Sequence, residues 1–361
     1  MKVAQKAIEK FVDLDWKKLL KFKQEQIIGL DIGSSAVKLV QLRKDDSVYT
    51  VTAADMVPIA ESAESLRARD MNAVRAIIGC IHSTGVQNRF AVCGLCGSEV
   101  AVRHFKFPHM APDEIQGAVT FEAAQVCPFS IDDSAVDYRL IPNDENAVSG
   151  IFVAATSKLI EKKLRLVRDS SLNCALMDVD GLAILNCFTQ SEKIKKGQVT
   201  AILNVGNTFA TLVIMNDNNL PFVRDISCAG ADIVKQIASE RNLSMQLVSE
   251  IIAAPPDSPQ QHDLGSSLAA ACQKLITDVT DTLRYYMAQE KAVAIEKVLL
   301  CGGFALNKRF ADLLAAKLPA KVVLWNPFEK MRCEAGKSAE DLLEKKGPAM
   351  VVAAGLAMRS I

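Results

Sequence analysis

IIGLDIGSSAVKLVQL, residues 27–42, is two apolar runs joined by a Gly-Ser turn, and AILNVGNTFATLVIM, residues 201–215, repeats the plan in the second half of the chain. In each, a polar residue (Asp31, Asn204) closes the first run. An apolar residue, a glycine (Gly33, Gly206) and small hydroxyl or amide residues then lead into the second. Apolar, β-branched runs around such a turn predict antiparallel strands. A charged KDD turn after the first unit and an Asn-rich turn after the second, each followed by a further apolar run, add a third strand to both. One supersecondary unit used twice predicts an α/β fold of two lobes with a cleft between them.

The chemistry of LDIGSS, residues 30–35, suits phosphate. Gly33 lets the backbone approach closely, and Ser34 and Ser35 supply hydroxyls and N–H donors that form a small nest for phosphate oxygens. Asp31 would meet the hydrated Mg²⁺ on those phosphates, because Mg²⁺ prefers one or two carboxylates plus water. Gly206, Asn207 and Thr208 offer an equivalent donor set on the second lobe. In CGGF, Gly302 and Gly303 follow an apolar strand and would take the adenine and ribose side. GKS at 336–338 is not a P-loop, since Met331 stands where a Walker motif needs glycine.

The chain has 361 residues, enough for two domains, and its 42 basic and 42 acidic side chains give no sign of a nucleic-acid partner. Half the residues are hydrophobic and 23% are charged, the profile of a folded globular protein. No run offers the roughly 18 uncharged apolar residues of a membrane span, and no signal-peptide pattern is present, so the sequence predicts a cytoplasmic protein. Its ten cysteines would then stay reduced. Cys93 and Cys96 form a CxxC, but a zinc site needs about four ligands and no second CxxC or HxxxH exists. The four scattered histidines support no hydrolase triad.

Residues 1–26 contain seven lysines, four acidic residues and neither Gly nor Pro. Helical spacing puts Ala4, Ala7, Ile8, Phe11, Leu14 and Phe22 on one side and Lys2, Lys6, Lys10 and Lys17 on the other. This amphipathic helix fits either a membrane surface or a docking face on protein. Further helices are expected at about 66–82, 112–126, 157–171, 230–240, 244–253 and 264–290. Strands are expected in RFAVCGL, VAVRHFKFP, AVDYRLI, GIFVAAT and VLLC. The charged break SEKIKKG, residues 191–197, ends the first lobe, and the small-residue C-terminal segment can pack closely against a neighbour.

The two phosphate hairpins, the Gly-Gly turn and their order resemble the actin, Hsp70 and sugar-kinase superfamily. FEAAQVCPFSIDDSAVDYRLI (121–141), VTDTLRYYMAQE (279–290), WNPFEKM (325–331) and VVAAGLAMR (351–359) narrow the resemblance to the PilM family of type IV pilus assembly, related to FtsA. It covers about residues 27 to 359. It implies an actin-like, ribonuclease H-like duplicated fold with a first lobe over 27–193, an inserted subdomain at about 98–170, a second lobe over 198–344, and a C-terminal helix, 345–361, returning to the first lobe.

By the same resemblance the cofactors are ATP and Mg²⁺, held by Asp31, Gly33, Ser34, Ser35 and Gly206. Asp178 or Asp180, in MDVDGLA, would place the attacking water, and Glu250, in SEIIA, would meet the ribose. Asn204 stands where the superfamily usually has aspartate and Ala253 where lysine is usual, so binding is expected with weak or absent hydrolysis. The implied role is an ATP-binding adaptor on the cytoplasmic face of the inner membrane. It would recruit other pilus-assembly proteins and grip the cytoplasmic N-terminal tail of PilN in a groove between the first lobe and the inserted subdomain. The alternatives are a filament-forming division protein of the FtsA type, or a small-molecule kinase of the same superfamily.

Overall fold

The computed structural model describes residues 27–45, 48–60, 65–141, 147–193, 197–216, 221–254, 264–289 and 294–359. The expected helix over residues 1–26 lies outside them. The chain begins as three consecutive antiparallel strands, β1 (Ile28–Ile32), β2 (Ala36–Asp45) and β3 (Val48–Pro58). Helix α1 (Leu66–Thr84) crosses to β4 (Phe90–Leu95), which lies parallel to β1. Ser65 caps its start through the Ala68 amide, and left-handed Gly85 ends it.

A separate three-stranded antiparallel sheet follows, made by β5 (Val100–Pro108), β6 (Ser134–Ile141) and β7 (Ala147–Thr156) in the order β5-β7-β6. Helix α2 (Pro112–Val126) buries Ile115, Val119 and Ala123 against it, with Phe105 and Phe152, in a small core of its own. β7 runs straight into α3 (Ser157–Asp169), whose N-cap is Thr156. The sequence assigns this helix to the inserted subdomain. Leu166 and Val167 instead join the first-lobe core with Ile28, Leu30 and Ile77.

The chain returns through β8 (Asn173–Val179), parallel to β4, and α4 (Asp180–Ser191). The second lobe repeats the plan with β9 (Val199–Val205), β10 (Ala210–Met215) and β11 (Phe222–Ile226) antiparallel in sequence. Helices α5 (Gly230–Arg241), α6 (Met245–Ala253), α7 (Gly265–Ala271) and α8 (Gln273–Gln289) come next. Then β12 (Ile295–Cys301), α9 (Lys308–Lys317) and β13 (Lys321–Leu324) complete the lobe, both strands parallel to β9. The expected single helix over 264–290 is thus two. The break at the buried Cys272 is slight, since its amide still donates to the Leu268 carbonyl and its carbonyl accepts from Ile276, both at 3.0 Å, while Ser267 of α7 is tied to Glu240 and Arg241 of α5.

In sheet order, β3-β2-β1-β4-β8 of the first lobe matches β11-β10-β9-β12-β13 of the second. The first sheet gains one more strand, β14 (Arg332–Cys333), beside β3. The chain therefore rejoins the first lobe at β14, ahead of the expected boundary at 344. After α10 (Lys337–Lys346), the wholly buried α11 (Val351–Ala357) packs on β1 and α4. The approach is backbone to backbone. A Cβ at Gly29 would lie 2.0 Å from the Ala353 carbonyl, and one at Gly355 would lie 1.8 Å from that of Ala183. Small residues in the C-terminal segment make this contact possible.

Candidate functional site in the interlobe cleft

Turn geometry comes first, because it aims the donors. In the first hairpin, the Gly33 amide donates to the Ala36 carbonyl at 3.1 Å. Asp31 lies opposite Lys38 in the β1–β2 register, and Lys38 Nζ donates to Asp31 Oδ2 at 2.9 Å. Ser34 and Ser35 stand exposed at the tip. A Cβ on Gly33 would come within 2.9 Å of the Ala36 carbonyl and 3.2 Å of Lys38 Nζ, so only glycine leaves this hollow open. Lys163 of α3 also reaches this turn and donates to the Ile32 carbonyl at 2.6 Å.

The second hairpin closes in the same way, with the Gly206 amide 3.1 Å from the Phe209 carbonyl. Asn204 and Thr211 take the register positions of Asp31 and Lys38. The two tips meet: Thr208 Oγ1 donates to Ser34 Oγ at 2.7 Å, and Asn207 Nδ2 donates to the same oxygen at 3.3 Å. The structure thus brings Ser34, Asn207 and Thr208 together across the cleft. Both second-lobe donors converge on the Ser34 oxygen, and an anion seated there would take its place as acceptor.

Below the tips, Asp225 of β11 ties the lobes. Its Oδ2 accepts from the Gly97 amide at 2.7 Å, and its Oδ1 accepts from Thr211 Oγ1 at 2.6 Å. Burial pushes its carboxyl up, while the two hydrogen bonds hold it down. Neither Asp225 nor Lys163 stands out in the sequence. Asp225 is a lone carboxylate in an apolar strand, and Lys163 is one of several basic residues on a helix that reads as solvent-facing.

The two candidate water-placing carboxylates have different surroundings. Asp178 Oδ1 accepts from the Val179 amide at 2.8 Å, and its Oδ2 lies 3.1 Å from Arg359 Nε, at ion-pair distance without hydrogen-bond geometry. Those contacts commit it to the C-terminal segment. Asp180, at the first position of α4, is 8% exposed, and its Oδ1 has no hydrogen-bond partner among the described residues. Burial, and then the charge of Asp31, push its carboxyl up to about 7, against the opposing pull of Lys163. The Cys96 thiol interacts with the same carboxyl, which places the second cysteine of the CxxC at the cleft, while Cys93 is buried in β4. Among the described residues, no three His, Cys, Asp or Glu side chains are assembled as a metal ligand set.

Gly302, Gly303 and Glu250 lie on the second lobe. Gly302 has a left-handed φ of 97°, and a Cβ there would fall 2.4 Å from the Val205 carbonyl and 2.7 Å from Asn204 Oδ1. Gly303 faces open space. Asn307 Nδ2 donates to the Ile252 carbonyl at 2.6 Å, which brings the end of α6 against this Gly-Gly loop. Glu250, exposed on α6, is held by Gln246 Nε2 at 3.0 Å.

Chemically, the cleft offers backbone N–H groups and hydroxyls at two glycine turns, two ammonium groups beside one of them, and buried carboxylates below. That set fits a polyanion accompanied by a hydrated cation.

Solved structures share this architecture. A structure described as a PilM-PilN type IV pilus biogenesis complex matches with a TM-score of 0.80 and 23% identity, over 92% of this chain and 98% of that one. The ethanolamine utilization protein EutJ from Carboxydothermus hydrogenoformans matches with a TM-score of 0.54 and 11% identity, over 92% and 89%. A diol dehydratase-reactivating factor in nucleotide-free form gives 0.52 and 10%, over 91% and 98%. These likenesses identify an actin-like two-lobe fold. The family model described as type IV pilus assembly protein PilM matches residues 29–361, and with nearly the whole chain covered, this protein belongs to the PilM family.

Proposed function

We propose that this chain is a nucleotide-binding adaptor of type IV pilus assembly, working at the cytoplasmic face of the inner membrane and holding the cytoplasmic N-terminal tail of PilN. The observation that carries the reading is the match, within one family, to a solved PilM-PilN complex over almost the full length of both chains. The tail would sit between the first lobe and the inserted three-stranded sheet, and other assembly proteins would join through the same adaptor. No described helix is long and apolar enough to cross a membrane. Attachment at the membrane therefore rests on PilN, with residues 1–26 as a second contact.

ATP with Mg²⁺ is the ligand proposed for the cleft. Gly33, Ser34, Ser35, Gly206, Asn207 and Thr208 would hold its phosphates, Asp31 would meet Mg²⁺ through water, and Gly302, Gly303 and Glu250 would flank adenine and ribose. A bound nucleotide would supply phosphates for the donors of both hairpins. Of the two acidic candidates, Asp180 takes the water-orienting role, because Asp178 is engaged by Arg359. Neutral Asn204 leaves the second hairpin without a carboxylate for the cation, which favours binding over turnover.

A labelled peptide of the cognate PilN tail, titrated into the full chain, tests the adaptor reading. Saturable anisotropy, competed by unlabelled peptide, is the expected result. No binding to the folded protein, with or without Mg-ATP, would overturn it.

A further inference from the structure

Helix α3 carries five basic residues, and they are not equivalent. Lys162 and Arg168 make exposed ion pairs with Asp70 and Asp169. Lys163 is half-buried and pairs with no carboxylate among the described residues. Its ammonium donates to the Ile32 carbonyl, the last residue before the Gly33 turn. One hydrogen bond leaves two of its three N–H donors for a ligand.

Lys38, in register with Asp31 on β2 and ion-paired to its Oδ2 at 2.9 Å, reaches the same turn. Two ammonium groups therefore lie beside one glycine turn. Lys163 also lies within electrostatic reach of Asp180, whose carboxyl meets the Cys96 thiol and whose Oδ1 is buried without a hydrogen-bond partner among the described residues. A buried carboxylate oxygen left unpaired among the described residues is a place where a water or a ligand group is expected, and the Lys163 ammonium lies near it.

We propose that Lys163 is a phosphate-binding residue of the cleft, taking the terminal phosphate of a nucleoside triphosphate from the α3 side of the Gly33 turn. This rests on the nucleotide reading above. If Asp180 orients water at the terminal phosphorus, a cation between Asp180 and the Gly33 turn stands at that phosphate, away from the inner two. Lys163 thus distinguishes triphosphate from diphosphate, which Asp31 and the hairpin donors do not.

The test compares Mg-ATP and Mg-ADP affinities of the full chain by calorimetry, in the wild type and in Lys163→Met, Lys163→Gln and Lys162→Met. Lys163→Met should weaken ATP about 10- to 100-fold, the size of a lost charge-assisted hydrogen bond, and leave ADP within about twofold. Lys162→Met, one residue away and ion-paired outward, should change neither. If Lys163→Met lowers the unliganded Tm, Lys163→Gln supplies the ratio, because its amide still donates to Ile32 while the charge is gone. An ATP-to-ADP ratio unmoved in both variants, or moved equally by Lys162→Met, overturns the assignment while leaving nucleotide binding intact. A wild type that binds neither nucleotide overturns the nucleotide reading itself, and Lys163's role with it.

Discussion

The two hairpins have one backbone and two chemistries. Each closes with a glycine amide donating at 3.1 Å, and each lies in the same place in its sheet. On the first, the register pair is Asp31 and Lys38, with Lys163 and Asp180 close by. On the second, the same pair is Asn204 and Thr211, both neutral. The second lobe's carboxylate, Asp225, sits one strand further out, where the first lobe has Met56 opposite Lys38. It spends both oxygens on structure, one of them across the cleft on Gly97. Duplication preserved the strand plan and divided the work. The first lobe carries the charges a phosphate and its cation would meet, and the second contributes neutral donors and the tie that sets the spacing.

That division can be broken first at Gly302, where the second sheet meets its loop. Gly302→Val places a side chain in a left-handed conformation against the Val205 backbone and should cost about 4 kcal/mol or more in urea unfolding. Gly303→Ala, facing open space, should stay within about 1 kcal/mol. Equal effects would remove the claim that this loop is held tightly against Asn204.

Next in size is the tie. Asp225→Ala strands the Gly97 amide and the Thr211 hydroxyl, for an expected loss of about 3 kcal/mol without any ligand. A loss below about 0.5 kcal/mol would mean that the lobes do not depend on it. Asp31→Ala tests the charged side. Mg-ATP at 100 times its Kd should stabilise the wild type by about 2.7 kcal/mol and the variant hardly at all, read as a shift in Tm. A wild-type-sized shift in the variant would place the cation elsewhere.

Asp180 sharpens the comparison through pH. Its folded-state pKa of about 7 lies above the unfolded value, so the folded protein keeps a proton that the unfolded chain has released. This contribution to stability is therefore fullest near pH 4 and is lost as pH rises towards 7, with no further loss above. Asp180→Asn should flatten the profile and leave the protein more stable at pH 8 by on the order of 2 kcal/mol. An unchanged profile would show that the group titrates normally. The smallest effect belongs to the tips. Ser34→Ala removes the acceptor shared by Asn207 and Thr208, exposed at the cleft mouth, and should cost at most about 1 kcal/mol.

The strand-turn-strand repeat, the Gly-Gly loop after β12 and most helix limits were legible in the sequence, because they depend on short-range signals. Apolar runs, turn residues, the Ser65 cap and Pro112 in the first turn of α2 act within a few positions. The same locality made Asp31, Gly33 and Ser34, and then Gly206 and Thr208, readable as two turns on one plan. Contacts across lobes, and between distant parts of the chain, were decided by the tertiary structure. α3 leaves the inserted sheet for the first-lobe core because Leu166 and Val167 find Ile77 there, and β14 joins β3 more than 270 residues after it in sequence. Asp178 and Asp180 are two residues apart and alike in sequence. Arg359, Asp31 and Lys163, arriving from three other segments, separate them. A carboxylate's role depends on which charges and how much water surround it, and those are set only when distant elements pack together.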